Sequence, residues 1–213
     1  MRKLVDNFEL LGRYLFNERR PLTSDEFYFL QILVRGKDGN SVSGNNKNRL
    51  VKYYVIRSKE QLLDLKKEIV GICETVNGRA YIHPTRRNLK EVANLVLENT
   101  AKTFVSQNWI GLRGVYSTAC GQSYVSNDKQ FIVDLDGYEA NSEETYNLAL
   151  FINSLRGRTD NRGGIVQKIV PTKNGIHMIT NAFDVGEFSK KYPNIDVHKN
   201  NPTLLYFKEK GTN

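Results

Sequence analysis

The sequence predicts an α+β fold in which helices stack on mostly antiparallel sheets. Segments with the alternating or β-branched pattern of strands come in neighbouring pairs joined by polar turns, which is typical of hairpins. Segments with apolar residues at helical spacing alternate with these pairs. We predict a single domain, 1–213, that consists of an N-terminal αβ half (1–107), a link (108–129) and a C-terminal half (130–213) with an antiparallel sheet resembling that of RNA-recognition modules.

The N-terminal half has clear signals for helix ends. Ser58 with Gln61, and Asn88 with Glu91, have the spacing of N-terminal helix caps. Asn77 followed by glycine is typical of a helix C-terminus. The predicted elements are a helix over 1–20, strands over 27–35 and 51–57 with a polar hairpin loop between them, a helix over 58–76, a strand over 79–83 and a helix from 88 to about 107.

The link and the C-terminal half contrast in regularity. Glycines interrupt the apolar residues of 108–129, so we expect a loop-rich segment there. The elements predicted after it are a strand over 131–136, a helix that Asn141 or Ser142 caps and Gly157 ends, strands over 165–171 and 175–180 joined by a turn at Lys173–Asn174, a helix over 185–192, and short strands over 195–197 and 203–207.

Charge and composition narrow the classes of function. The formal net charge is +8, which favours a polyanionic partner such as nucleic acid or nucleotide. The two cysteines, Cys73 and Cys120, match no metal-ligand spacing and indicate no disulfide framework, so we expect a reducing compartment. No secretory signal and no run of about 18 apolar residues is visible, which predicts a cytoplasmic location and no membrane partner.

The segment Phe131–Gly137 carries two carboxylates one residue apart. Side chains alternate faces along a strand, so Asp134 and Asp136 share one face with Ile132, while Phe131, Val133 and Leu135 share the other. Neighbouring carboxylates repel each other unless a cation lies between them, and Mg²⁺ or Mn²⁺ prefers such oxygen ligands. The plainer interpretation is a strand that ends in a polar Asp-Gly turn.

A second segment, Pro171–Thr180, places Lys173, Gly175 and His177 two residues apart. Lysine supplies a point charge for phosphate oxygens, glycine lets a ligand approach the backbone, and histidine can donate to a phosphate oxygen. Together they predict a phosphate site. Taken singly, a structural histidine and a solvated lysine remain open alternatives.

The two segments resemble the catalytic core of the archaeo-eukaryotic primase superfamily of primases and primase-polymerases. Phe131-Ile-Val-Asp-Leu-Asp136 is similar to its strand with two acids, and Gly175-Ile-His177 to its small-x-His strand. Lys173 matches the lysine that some members have before the small residue. For the later hydrophobic-Asp pair, Ile195-Asp196 is our choice and Phe183-Asp184 the alternative. The motifs cover roughly residues 130–207.

The resemblance implies a fold of the primase-polymerase type and a template-directed nucleotidyltransferase that releases pyrophosphate. It implies that Asp134, Asp136 and Asp196 are catalytic and bind Mg²⁺ or Mn²⁺. It implies further that nucleoside triphosphates contact the following residues: Lys173, Gly175, His177, Arg79 and, as weaker candidates, Arg86 and Arg87. The segments Arg156–Arg162 and Lys190–Lys199 would follow the backbone of a DNA or RNA template, with a tyrosine or Trp109 for stacking.

The sequence departs from the resembled family in three ways. The small residue before the histidine is often serine there, and here it is Gly175. No zinc-binding cysteine or histidine cluster is present, and no helicase P-loop follows. We therefore expect a bare catalytic core, or one that works with a separate helicase or replication protein, of the kind that viruses and mobile elements encode.

Other classes of protein share part of the pattern. A non-catalytic nucleic-acid-binding module would explain the positive charge but not two acids on one strand face. Asp134-Leu-Asp136-Gly137 also resembles the first motif of haloacid-dehalogenase-type phosphatases. That motif normally lies near the start of the chain, and no Gly-Asp dipeptide follows residue 137 to supply the later acidic element. Glycosyltransferases with Asp-x-Asp fit less well, because no half for binding a sugar nucleotide is evident.

Overall fold

The predicted α+β class is confirmed, with antiparallel sheets packed against helices. The computed structural model describes residues 3–18, 20–36, 48–125, 128–156 and 164–210. Its strands are β1 (Leu4–Asp6), β2 (Glu26–Val34), β3 (Arg49–Ile56), β4 (Arg79–Ile82), β5 (Arg87–Asn88), β6 (Gln130–Asp136), β7 (Val166–Pro171), β8 (Gly175–Asn181), β9 (Asp196–His198) and β10 (Thr203–Lys208). Its helices are α1 (Phe8–Leu15), α2 (Lys59–Asp64), α3 (Lys66–Val76), α4 (Leu89–Val105), α5 (Val115–Gln122), α6 (Glu143–Ser154) and α7 (Val185–Lys191).

The first sheet has the strand order β1-β10-β4-β2-β3, and β5 pairs with β2. Strand β10 comes from the end of the chain and lies between β1 and β4, so the C-terminal residues complete a sheet that begins at the N-terminus. One face packs on α1, α2 and α3 through a large apolar core that includes Phe8, Ile32 and Ile69. On the other face, Phe27 and Phe29 pack against α4 and α5.

The second sheet has the order β7-β8-β6-β9, with β6 paired antiparallel to both of its neighbours. Phe131, Val133 and Leu135 belong to the core that α6 and α7 cover. The predicted alternation along β6 is therefore confirmed on its apolar side. Ile132, Asp134 and Asp136 face the opposite way and line a cleft against the first sheet.

The predicted helix caps are confirmed. The Ser58 hydroxyl accepts a hydrogen bond from the Gln61 amide at 3.1 Å. The Asn88 side chain accepts from the amides of Lys90 and Glu91. Asn77 ends α3 in the left-handed region with φ +53°. These local signals worked because each needs only a few consecutive residues.

The first correction concerns the helix predicted over residues 1–20. Residues Leu4–Asp6 form β1 instead, because Val5 pairs with Phe207 of β10. The buried Asn7 side chain then donates to the carbonyl oxygens of Pro171 and Leu204 and ties this segment to both sheets. The helix is confined to Phe8–Leu15, since tertiary pairing outweighs the helical spacing of the first residues.

The second correction concerns the link predicted over 108–129 to be loop-rich, which is helical from Trp109 to Gln122. A 3₁₀ segment covers Trp109–Gly114 and α5 follows it. Ala119 and Cys120 are fully buried in the core shared with Phe27 and Phe29. Ala119 and Cys120 make the buried contacts of α5, whereas a Cβ atom at Gly121 would meet nothing within 4 Å.

Two smaller corrections concern helix ends. The helix predicted over 58–76 is interrupted at Leu65, although its backbone hydrogen bonds continue from Leu65 to Gln61 and from Ile69 to Leu65. Helix α6 ends at Ser154, three residues before the predicted stop at Gly157, which lies outside the described residues. The hairpin loop predicted between β2 and β3 falls largely outside them too.

In the described part of the chain, no helix is both long and apolar enough to cross a bilayer.

Candidate functional site

A cleft of about 940 Å³ lies between the two sheets. The first sheet contributes residues of β2, β4 and β10, and the second contributes residues of β6, β8 and β9 together with the turn Thr172–Asn174. Most of the residues singled out in the sequence meet here. Asp134, Asp136, Asp196, Lys173, His177 and Arg79 all line this cleft.

The acidic wall of the cleft consists of Asp134, Asp136, His177, Asp196 and His198. Strand β6 places Asp134 directly opposite His177 of β8 on one side and directly opposite Asp196 of β9 on the other. Residues opposite each other on one face of an antiparallel pair have Cβ atoms about 5 Å apart. Three side chains far apart in the sequence are thereby brought to one point on one face.

His177 is held from both ring nitrogens. Its Nε2 atom lies 3.4 Å from Asp134 Oδ1, and its Nδ1 atom lies 2.9 Å from the hydroxyl of the buried Thr203. The His177 contact lowers the pKa of Asp134 below its usual 3.8, although partial burial acts in the opposite direction. His198 and Arg35 lower that pKa further through their charges. Asp134 is therefore ionised at neutral pH.

Gly175 is required by the pairing of β8 with β6. A Cβ atom at this position would collide with the carbonyl oxygen of Leu135 and come within 2.9 Å of the Gly137 amide nitrogen. Next to it, the Gly137 amide donates to the carbonyl oxygen of Asn174 at 2.8 Å, and Gly137 has φ +83°. Gly175 thus lets the chain's own backbone approach closely. The approach of a ligand to Gly175 stays a prediction.

The basic wall consists of Arg35 and Arg79, which come from the first sheet, and Lys173, which lies in the turn between β7 and β8. The Arg79 guanidinium lies 4.6 Å from the centroid of the Phe207 ring, and Lys173 Nζ lies 5.0 Å from the same centroid. A single aromatic ring therefore holds cations that arrive from the two sheets. Arg79 is 7% exposed and reaches the cleft from within the sheet.

Several cleft residues were not found from the sequence. His198 follows Asp196 by two residues and lies opposite Ile132, so strand alternation could have identified it. Arg35, Tyr81 and His83 belong to elements whose strand order the sequence does not specify. His83 is buried, with Nδ1 2.6 Å from Arg87 Nη2, and burial together with the Arg87 charge keeps its pKa well below 6.5. His83 is therefore neutral at physiological pH.

Two weaker candidates have other roles in this structure. Arg87 is fully buried, donates to the carbonyl oxygen of Thr85 and to Asn200, and does not line the cleft. Arg86 forms ion pairs of 2.9 Å with both Glu26 and Asp128. These contacts use the two guanidinium groups in structure, which corrects the expectation that they contact nucleotide.

Asp184 caps α7 by accepting from the amides of Gly186 and Glu187, while Asp196 reaches the cleft. Of the proposed template segments, residues 157–162 lie outside the described residues. In Lys190–Lys199, His198 lines the cleft and Lys190 pairs with Glu187. Trp109 is 55% exposed, packs on Phe104 and is not a cleft residue.

The donor chemistry of the acidic wall fits a hard divalent cation. Among the described residues, no three Asp, Glu, His or Cys side chains are arranged to hold a metal by themselves. Mg²⁺ commonly binds through one or two carboxylates and completes its shell with water and substrate phosphates. Asp134 and Asp196, opposite each other, meet that smaller requirement, and Asp136 adds a third oxygen donor on the same face.

Comparison of the chain with protein-family models, with curated proteins and with solved structures found no match in any of the three.

Proposed function

We propose that this chain is a template-directed nucleotidyltransferase of the primase-polymerase type, which adds nucleotides to a strand and releases pyrophosphate. The observation that carries the proposal is the register of β6, in which Asp134 stands between His177 and Asp196. The acids and the histidine that carry the primase resemblance along the sequence therefore form one cluster in space. Arginines across the cleft add the positive charge that a triphosphate needs.

Each wall has its own part in the reaction. Asp134, Asp136 and Asp196 would hold divalent cations. Arg79, Lys173 and His177 bind the triphosphate, and Arg35 adds positive charge near Asp134. The terminal hydroxyl of the growing strand attacks the α-phosphorus and loses its proton to water, the bond from the α-phosphorus to the bridging oxygen breaks, and pyrophosphate leaves. Bound Mg²⁺ or Mn²⁺ would align the attacking and leaving oxygens and neutralise their charge.

The chain contributes mainly position and charge, which is what phosphoryl transfer demands. The hydroxyl of Thr203 and the carboxylate of Asp134 fix the imidazole of His177 between them. Phe207 holds Arg79 and Lys173 on one ring. Because these side chains come from four strands (β4, β6, β8 and β10) and a turn, a triphosphate would meet cationic groups that are already in place.

The decisive experiment is incorporation of labelled nucleotides on a template in Mn²⁺ or Mg²⁺, with and without a primer. Asp134→Ala should reduce incorporation by about 10³-fold or more, because a charge-stabilising group in the transition state is lost. Asp64→Ala, at an exposed carboxylate outside the cleft, is the matched control. No product from the native chain under any metal would refute the proposed reaction.

A non-catalytic nucleic-acid-binding module is the alternative that the net charge of +8 favours. The two functions differ in what happens when an acid is removed. A module that only binds strands should keep or improve its affinity after Asp134→Ala, since a negative charge near phosphate disappears. The proposed enzyme should lose binding of Mn²⁺ together with nucleotide.

A further inference from the structure

A row of side chains crosses the first sheet from its edge into the cleft. Tyr53 on the edge strand β3 lies directly opposite Gln31 of β2, and Gln31 lies directly opposite Tyr81 of β4. Gln31 and Tyr81 line the cleft, and Tyr53 is the next residue of the row toward solvent. Since adjacent strands are about 4.8 Å apart, the row extends for about 10 Å.

The outer end of this row is an aromatic pair with one exposed ring. Tyr53 is 40% exposed, and its ring stacks on that of Tyr116 from α5 with centroids 5.3 Å apart and planes 29° apart. Phe29 supports Tyr53 from below at 5.8 Å and also stacks on His83, which reaches the cleft. The pair is thus fixed in place by a buried ring, and a chain of aromatic contacts leads from it to the cleft.

The charge along this side of the cleft has one sign. Among the described cleft-lining residues that β2 to β4 and their ends contribute, Arg35 and Arg79 are positive and none is Asp or Glu. The carboxylates belong to the opposite wall. A polyanion that entered across β3 would therefore meet arginines on the sheet that carries the tyrosines.

We propose that a single-stranded nucleic acid lies along the row Tyr53–Gln31–Tyr81, with an unpaired base stacked on the Tyr53–Tyr116 pair and its phosphates near Arg35. Aromatic rings beside a cationic groove are how proteins hold unpaired strands without reading their sequence. The site rests on the proposed function in one respect, which is that the bound strand is taken to be the template. Bases inside a duplex are already stacked on both faces, so the body of a duplex does not fit this pair.

The first test measures the affinity of a labelled single-stranded oligonucleotide by fluorescence anisotropy, without nucleotide and in chelator. Tyr53→Leu should weaken binding by about tenfold, as expected for the loss of one stacked base. Tyr53→Phe should bind as the native chain does, since the ring is kept. Tyr146→Leu is the matched control, because Tyr146 is a 64% exposed tyrosine on α6, which covers the far face of the second sheet.

The salt dependence of the same affinity separates stacking from charge. Arg35→Gln should reduce the slope of log affinity against log salt by about 1, because one phosphate contact is lost. Tyr53→Leu should lower the affinity and leave that slope unchanged. Equal slopes for Arg35→Gln and the native chain would remove Arg35 from the strand path.

The second test places a reporter on the pair and does not depend on a weakened variant. Trp109 is the single tryptophan of the chain, so Trp109→Phe with Tyr53→Trp leaves one tryptophan, at the proposed stacking position. A single-stranded oligonucleotide of DNA or RNA should quench its fluorescence in a saturable manner, and a blunt duplex should not. Absence of quenching, with binding otherwise intact, would overturn the inference, as would equal quenching by the duplex.

Nucleotide binding in Mn²⁺, measured without any strand, keeps the two proposals apart. If nucleotide binds but Tyr53→Leu and the tryptophan reporter show no effect of a strand, the strand path is wrong and the proposed enzyme stands. If a strand quenches the reporter but the native chain neither binds nor incorporates nucleotide, the strand path stands and the polymerase function falls. A loss of strand affinity in Tyr146→Leu equal to that in Tyr53→Leu would also overturn the path.

Discussion

The two walls of the cleft are built in opposite ways. The acidic wall belongs to a single sheet, and the pairing of β6 with β8 and β9 fixes Asp134, His177 and Asp196 in register. The basic wall is assembled from both sheets, since Arg79 and Lys173 both lie against the ring of Phe207. The position of the carboxylates therefore depends on strand pairing, whereas the position of the cations depends on how the two sheets pack.

If the chain has the proposed function, this difference gives the two walls different roles. Carboxylates that lie two positions apart on one strand, or opposite each other on paired strands, can share a small cation with little rearrangement. Cations held against an aromatic ring are already in place for a larger anion such as a triphosphate. Substitutions on the acidic wall should consequently affect the reaction itself, and those on the basic wall should affect the affinity for its substrate.

The largest effect is expected at Asp196. Asp196→Asn should reduce incorporation by about 10³-fold or more, because the substitution removes one charge from the proposed reaction centre. Its effect on stability should be small, because Asp196 is exposed to the cleft. Asp184→Ala is the informative comparison. It should cost about 1 kcal/mol of folding stability through loss of the α7 cap and leave incorporation near the native rate. Similar incorporation defects in both variants would contradict the proposed role of Asp196 in the reaction.

The next effect concerns the register that builds the acidic wall. Gly175→Ala should destabilise the fold by about 3 kcal/mol, because the new methyl group meets the Leu135 carbonyl and forces β8 away from β6. The measurement is the free energy of unfolding in urea. Gly71→Ala is the control, since a Cβ atom there meets nothing within 4 Å. A native-like Gly175→Ala would show that the strands can separate without cost.

A smaller effect is expected on the basic wall. Arg35→Gln should weaken nucleotide binding in Mn²⁺ by about tenfold, as expected for one charge-assisted contact, while the maximal rate of incorporation changes little. Isothermal titration separates this from metal binding, which should stay as in the native chain. A fall in the rate at saturating nucleotide, with affinity unchanged, would assign Arg35 to the reaction rather than to binding.

The smallest effect is the dependence of the His177–Asp134 contact on pH. Because this contact lowers the folded pKa of Asp134 below 3.8, it adds stability above about pH 3.8, and that stability is lost as the pH falls through the folded pKa. In chelator, the difference in unfolding free energy between the native chain and His177→Asn should be about 1 kcal/mol or less at pH 5. It should shrink toward pH 3, and a difference that widens on acidification would reverse the sign of the coupling.

The sequence predicts much of the acidic wall, and on the basic wall it predicts Arg79 and Lys173 but not Arg35. Alternation places Asp134 and Asp136 on one face of β6, and the same period explains His198 once Asp196 is chosen. No local pattern specifies that β4 lies beside β2, so Tyr81 and Arg35 could not be assigned to the cleft. The pairing of Val5 with Phe207 across the length of the chain was missed for the same reason, because local spacing contains no information on distant partners.

The short strand β9 has a consequence for folding. It is three residues long and sets Asp196 against Asp134, and like charges directly opposite each other destabilise a sheet. If the proposed cation binds there, it stabilises the fold by mass action. The free energy of unfolding rises by about 2.7 kcal/mol at a cation concentration one hundred times its dissociation constant. Strand β9 would then be the part of the second sheet whose amide hydrogens exchange fastest in chelator and slow most when Mn²⁺ is added. The metal concentration would then affect the stability of the fold as well as the proposed activity.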